Sequence, residues 1–472
     1  MRDLNVIFEP KSIAVIGATA NPQSVTNVTF LRQLIDFGYP GRIYPVNPHA
    51  DRVLGLKAYA RIGDIPEPVD YAVCAVAASS AAQVMRECVA AKVKVVSMFT
   101  AGFSEVGEDG ARLEREVVEI ARRGGVIVLG PNCLGVHCPK SGLTLEGGIA
   151  RKSGHVGGVS QSGGVAQVMV LSLAEREIYV SKLISLGNAA DLNEADYLEY
   201  LGHDDDTRIV SAYLEGIRQP DRFLSVAEEV ARMKPLVVLK GGKTPAGAGA
   251  ARLHTGSLAG SHLVWEAVCR QTGMVQVDDL GDLTDTVQAF TYLEPPRGRR
   301  LGIIGVGGGF GVLAADECIR AGFSVPEFPP AVKAELQKYT PTAGTGLRNP
   351  VDTTPNSYVS PDTLAATVRA VAGWDGIDLV FMAFPTLFGI RMGLQYLIDG
   401  FGAVIGAARE AGKPLVIVLS TANFAEGETK SWELQKHCFA QGAPVYFTFR
   451  QAARAVARVI GYHERQSPGG TH

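Results

Sequence analysis

Four places in the chain combine residue types that can do chemistry. His254 sits within Gly247-Ala248-Gly249-Ala250-Ala251-Arg252-Leu253-His254-Thr255-Gly256-Ser257-Leu258-Ala259-Gly260, a run rich in Gly and Ala that follows Lys240-Gly241-Gly242-Lys243. Such a composition forms a poor core and is expected to make a mobile or ligand-shaped loop. An imidazole on it can accept a phosphoryl group on one ring nitrogen while a carboxylate holds the other. Glu215 is a candidate for that carboxylate: it ends the run Ser211-Ala212-Tyr213-Leu214, just before Gly216, and α/β sheets gather ligand groups at strand ends. Ser160-Gln161-Ser162-Gly163-Gly164 stands between an apolar strand and a helix start, where N–H donors and the helix dipole can face an anion. Each has a plainer reading, since a lone histidine is ordinarily solvated or packed, strand-end carboxylates often cap helices, and Ser is a common N-cap.

The fourth place is Gly17-Ala18-Thr19-Ala20-Asn21-Pro22-Gln23-Ser24, directly after the first strand. It lacks the full Gly-x-Gly-x-x-Gly fingerprint, and Val46-Asn47-Pro48-His49 stands where a nicotinamide-binding fold would end its second strand with an acidic residue. An NAD-dependent oxidoreductase is therefore disfavoured. The turn still offers backbone N–H groups to the pyrophosphate of another adenine nucleotide, or it only packs.

These sites need strands and helices to hold them, and the chain supplies them in alternation. Short β-branched runs begin at Ser12, Arg42, Tyr71, Val93 and Val126, then at Gly154, Val180, Arg208, Pro235 and Met274, then at Arg300, Asp378, Pro414 and Val445, with amphipathic segments between. The expected fold class is α/β with parallel sheets. The domains are expected at 1–140 (Rossmann-like), 141–294 and 298–462, with Glu294-Pro295-Pro296-Arg297-Gly298 as linker and 463–472 as a flexible tail. With 46% apolar and 20% charged residues in 472, several cores can be buried. The 54 glycines, about 11% of the chain, follow no collagen-like period and cluster beside the apolar runs, as strand-to-helix turns require.

A formal net charge of −3 without a dense basic block argues against nucleic acid. No run of 18 or more apolar residues occurs, and Met1-Arg2-Asp3-Leu4 does not resemble a signal peptide, so a cytoplasmic protein without membrane association is expected. The seven cysteines are scattered and read as reduced, buried thiols. Cys133, His137 and Cys138 lack a further cluster to complete a zinc site, and no metal is assigned.

Nine segments, in order, resemble the NDP-forming acyl-CoA synthetases, the superfamily containing the α subunits of ADP-forming acetyl-CoA synthetase and of succinyl-CoA synthetase. They are Ser12–Ala18, Tyr44–Pro48, Ala101–Glu105, Gly130–Gly135, Ser160–Gly163, Gly187–Asp191, Tyr213–Gly216, His254–Gly256 and Asn349–Asp352. The resemblance spans roughly residues 5 to 460. It implies a CoA-binding Rossmann-like domain followed by two flavodoxin-like CoA-ligase domains. CoA would meet Gly17, Ala18, Thr19, Asn21, Gln23 and Ser24 near its phosphates and Val46, Asn47 and Pro48 near its adenosine, with Asn132 assigned to the same ligand.

The resemblance further implies that His254 is phosphorylated, that Glu215 orients it, and that Ser160, Gln161, Ser162, Gly163 and Gly164 cradle the phosphoryl group. The reaction interconverts carboxylate, CoA and NTP with acyl-CoA, NDP and phosphate through an acyl phosphate. An ATP-grasp domain of the superfamily has no counterpart here, so ADP or ATP and Mg would come only through an ATP-grasp β subunit, in a homo- or hetero-oligomer. A CoA-binding regulatory or scaffold protein of the same fold is the competing expectation. Short-chain and aryl acids both remain open as substrates, as do ADP and GDP.

Overall fold

The computed structural model describes residues 3–19, 21, 25–255, 261–305, 307–340, 346–353, 360–386, 394–420 and 425–467. The chain divides into two compact units, 1–280 and 281–472. Among the described residues the first holds two large sheets and a two-stranded ribbon, and the second holds one sheet.

The first sheet contains β1 (Ser12–Ile16), β2 (Arg42–Val46), β5 (Tyr71–Cys74), β6 (Val95–Met98) and β7 (Ile127–Leu129); between β2 and β5 a small ribbon pairs β3 (Arg52–Val53) with β4 (Leu56–Lys57). Its order is β2-β1-β5-β6-β7, all parallel. The inner strands are buried along both faces, as helices covering both sides require. The helix Glu108–Arg123 shows how local sequence supports these crossovers: Glu108 and Asp109 open it and Arg122 and Arg123 close it, matching the helix dipole at each end.

The second sheet runs β14-β13-β12-β10-β11-β8-β9, formed by β8 (Gly135–Cys138), β9 (Leu143–Thr144), β10 (Val156–Ser160), β11 (Val180–Ser185), β12 (Ile209–Leu214), β13 (Leu236–Lys240) and β14 (Val275–Val277). The strands β10 to β14 are parallel, and β8 lies antiparallel on β11 with Val136 opposite Ile184. Residues 135–138, expected at the end of the first domain, thus pair in this sheet. Val136, Cys138 and Leu143 are buried in the shared core. Strands of four and two residues are too short for a period-2 signal to reveal which sheet they join.

In the second unit β15 (Leu301–Gly305), β16 (Val351–Asp352), β17 (Leu379–Pro385), β18 (Leu415–Ser420) and β19 (Val445–Tyr446) pair in the order β16-β15-β17-β18-β19, all parallel. The helix Leu280–Tyr292, expected to close the second domain at 294, packs here. Its Gln288 donates to Val445 O at 2.7 Å, and its Asp282 is bonded by Arg454 and Arg458. At the C-terminus the helix Phe449–Gln466 runs into the stretch expected to be a flexible tail. Among the described residues no helix is long and apolar enough to cross a membrane.

The parallel strands of each sheet share one order, second-first-third-fourth-fifth in chain sequence. In such a sheet the connections leave the first strand to opposite sides, and a crevice opens beyond the carboxyl ends of the first and third strands. Those ends are Ile16 and Cys74 in the first sheet and Ser160 and Leu214 in the second.

Candidate active site

At the crevice of the second sheet, Glu215 follows β12 directly and is buried to 3% exposure. Both of its carboxylate oxygens lie against His254 Nδ1, at 2.9 and 3.1 Å. The imidazole itself is half-exposed. The hydrogen bond to Glu215 raises the His254 pKa above its usual range, against an opposing push from burial. With Nδ1–H donated to the carboxylate, the neutral ring leaves its lone pair on Nε2, the arrangement a nucleophilic imidazole needs.

The segment carrying His254 is the helix Pro245–Thr255, where the sequence led to the expectation of a loop. Four alanines favour helix, Pro245 fits its first turn, and the Thr244 hydroxyl accepts from Gly247 N at 3.1 Å. Residues 256–260, the rest of that run, lie outside the described residues. The helix packs beside the turn Ser104–Val106 of the first domain.

The carboxyl end of β10 adjoins β12, with Ser160 in register with Tyr213. Ser162 caps the helix Gly163–Ala174, its hydroxyl accepting from Val165 N at 3.4 Å. The first amides of that helix, Gly163 and Gly164, lie beyond the reach of any intrahelical acceptor and can serve an anion. Two members of the expected phosphate cradle do something else. Ser160 is fully buried, and its hydroxyl donates to Ser162 O at 2.6 Å and accepts from Ser162 N at 3.2 Å, so it shapes the turn. Gln161 gives its backbone N–H to Tyr213 O, and its side chain turns inward to the backbone of Glu215 and Gly216. A cap position and an inward position two residues apart look alike in sequence, and only the strand's orientation separates them.

Sequence reasoning assigned no role to two further groups. The buried Lys240 ammonium, at the end of β13, donates to Glu215 O at 2.6 Å and to Gly241 O. The Tyr213 hydroxyl bonds the Glu215 carboxylate; burial, then that charge, pushes its pKa up. Tyr213 was findable, since it lies two residues before Glu215 and so shares its face of the strand. Gly241 leaves room for this pair: a Cβ there would sit 2.7 Å from the Tyr213 hydroxyl and 3.2 Å from Glu215 Cγ.

In the first sheet Gly17, Ala18, Thr19, Asn21, Val46, Asn47 and Pro48 come together at the crevice beside β1. Asn47 ties the two loops, donating to Ala18 O at 2.7 Å and accepting from His49 N at 2.7 Å, while Gly17 N donates to Val46 O. Ala18 and Val46 are buried and contribute backbone and packing. Gln23 and Ser24 lie outside the described residues. Asn132 stands farther along the same edge of the sheet. It follows β7, two strands beyond β5, where its N–H donates to Thr100 O at 3.0 Å beside the loop 187–190. His137 is buried against Phe37, and burial pushes its pKa down to about 4, which keeps the ring neutral.

Residues 11–139 match the family model of a CoA binding domain, 153–290 that of the succinyl-CoA ligase like flavodoxin domain, and 301–460 that of the Ligase-CoA domain. The α subunit of ADP-forming acetate–CoA ligase II from Pyrococcus furiosus is 38% identical over 462 residues, 97% of each chain. The chain belongs to the NDP-forming acyl-CoA synthetases. Within this family of acid–thiol ligases it is an α-type subunit. The solved dinucleotide-forming acetyl-coenzyme A synthetase 1 of Ca. Korarchaeum cryptofilum, in complex with phosphate and ADP, superposes with a TM-score of 0.84 at 30% identity, covering 99% of this chain and 98% of that one. An ADP-forming 4-hydroxybutyrate–CoA ligase from Nitrosopumilus maritimus is 35% identical over 73% of this chain but 50% of its own length.

In this synthetase the crevice loops can be tested separately from the histidine. Asn47→Ala removes the tie between the Ala18 and His49 loops, and we expect the CoA dissociation constant to rise about tenfold, a loss of about 1.4 kcal/mol. Isothermal titration with CoA reads this directly; an unchanged constant would move the CoA site elsewhere.

Proposed function

We propose that this subunit carries a phosphoryl group on His254 Nε2, with Glu215 as the orienting carboxylate and the amides of Gly163 and Gly164 as the phosphate cradle. The observation that supports it is the contact of Glu215 with His254 Nδ1 at the sheet's crevice, one strand from that helix start. CoA is held by the crevice of the first sheet, at Gly17, Ala18, Thr19, Asn21 and Val46 to Pro48. In the acyl-CoA to NTP direction, a phosphate oxygen attacks the thioester carbonyl, the C–S bond breaks and CoA leaves as the thiolate. His254 Nε2 then attacks phosphorus in the acyl phosphate, and the P–O bond breaks to release the carboxylate. Transfer of the phosphoryl group to NDP regenerates the imidazole.

The NDP and its Mg ion are supplied by an ATP-grasp β subunit. The subunit name of the Pyrococcus relative and the greater length of the Nitrosopumilus relative support a further polypeptide or domain. The substrate is a monocarboxylic acid, as acetate and 4-hydroxybutyrate in those names are, and the reaction is placed in the cytoplasm.

Incubation with a panel of acyl-CoAs and labelled phosphate tests the proposal. We expect an acid-labile, base-stable label that peptide mass spectrometry places on His254, strongest with monocarboxylic acyl groups. Adding the ATP-grasp subunit and ADP should discharge it into ATP. Absence of label with every acyl-CoA, with CoA still bound, would favour a CoA-binding scaffold without turnover.

A further inference from the structure

Glu215 must hold its carboxylate on a half-exposed imidazole while its own backbone lies at a crevice, and two buried side chains grip that backbone from either side. From β10, the Gln161 carbonyl oxygen accepts from the N–H groups of both Glu215 and Gly216, and its amide donates to Gly216 O at 2.8 Å. From β13, the Lys240 ammonium donates to Glu215 O and Gly241 O and lies 6.0 Å from the centre of the Trp265 ring. Gln161 is 3% exposed and Lys240 6%.

We propose that Gln161 and Lys240 are positioning residues for phosphoryl transfer: both hold the Glu215 peptide, and the Lys240 charge offsets the anion that collects when Glu215 faces a phosphorylated His254. Given phosphorylation of His254 as proposed above, two negative groups meet at one imidazole, and a buried cation on the Glu215 peptide offers built-in compensation. The clamp also joins the parts of the site. Gln161 lies within the turn that starts the cradle helix, and Lys240 opens the segment leading to the helix of His254. Around the pair, β12 presents Glu215 and Tyr213. The end of β13 presents Lys240, Lys243 follows it, and Arg252 shares the His254 helix. The helix His262–Thr272 presents the Trp265 ring, with its Glu266 turned to His262, and the neighbouring Glu105 bonds Asn188.

The two side chains should fail differently. Lys240→Gln keeps N–H donors but removes a positive charge near Glu215, so the imidazolium form of His254 is favoured. The acid limb of the pH profile for His254 labelling should then move up by about half a unit or more. Lys240→Arg, which keeps the charge, should leave that limb in place. Gln161→Leu removes the clamp without changing charge and should lower the plateau rate about tenfold with the limb unmoved. Histidine NMR titration reads the same shift without turnover, and CoA binding reports folding for each variant. If Lys240→Gln loses CoA binding, Lys240→Met takes its place. An unlabelled wild type would sink the phosphohistidine assignment. A labelled wild type with unshifted Lys240→Gln, or with Gln161→Leu at full rate, would overturn the positioning roles.

Discussion

Glu215→Gln slows phosphorylation of His254 by about 10²–10⁴-fold while CoA binding persists, and His254→Ala abolishes the label. The glutamine can still approach Nδ1, but it can neither fix the Nδ1–H tautomer by charge nor stabilise the cation that forms during transfer. The two variants differ in what they leave behind, since Glu215→Gln keeps Nε2 and so keeps a residual rate. The pH profile adds a second reading. In the wild type, Glu215 holds the His254 pKa above its usual range, so the reactive neutral ring is lost as pH falls through that raised value. In Glu215→Gln the acid limb moves down toward the ordinary imidazole value of about 6.5. The same linkage bears on stability: the contribution of the ion pair is fully present below the unfolded value and fades as pH rises through the raised folded one. A Glu215→Gln enzyme labelled at the wild-type rate with an unmoved limb would remove Glu215 from the reaction.

Gly187→Ala should destabilise the first unit by about 3 kcal/mol or more, because the added methyl group meets backbone at a left-handed position. Gly187 has φ +56°, and a Cβ there would lie 2.2 Å from Pro131 O and 2.3 Å from Asn132 O. Neither obstacle can rotate away, because both are backbone, and the surrounding loops are pinned. Asn188 N donates to Pro131 O and Ala190 N to Gly130 O, each at 2.9 Å. The Asn188 side chain bonds Glu105 at 2.6 Å and Glu114 at 2.9 Å, which ties this loop to the first sheet's domain. Thermal unfolding should show the transition of the first unit several degrees lower. Gly249→Ala is the control: a Cβ there meets nothing within 4 Å, and the helix should gain about 0.5–1 kcal/mol. Equal stability of the two variants would mean that the Gly187 loop yields and does not hold the domains together.

The alternation of β-branched runs with amphipathic segments was enough to indicate α/β sheets built mainly of parallel strands, because a strand covered by helices on both faces must be apolar throughout. Residue type and the order of nine short segments were enough to single out His254 and Glu215, since few side chains can accept a phosphoryl group or orient an imidazole. What lay beyond the sequence was direction and partnership. Whether Gln161 faces an anion or the Glu215 peptide depends on how β10 is turned, and whether Lys240 is solvated or buried depends on β12 and on Trp265 from a later helix. The helix Leu280–Tyr292 carries a pattern that fits either sheet, and its contacts with Arg454, Arg458 and Val445 come from residues more than 150 positions away. Asn132 belongs by sequence to the CoA domain but lies two strands from its crevice, a displacement that strand order alone sets. Local chemistry pointed to His254 and Glu215, and long-range packing chose the neighbours that hold the two side chains together.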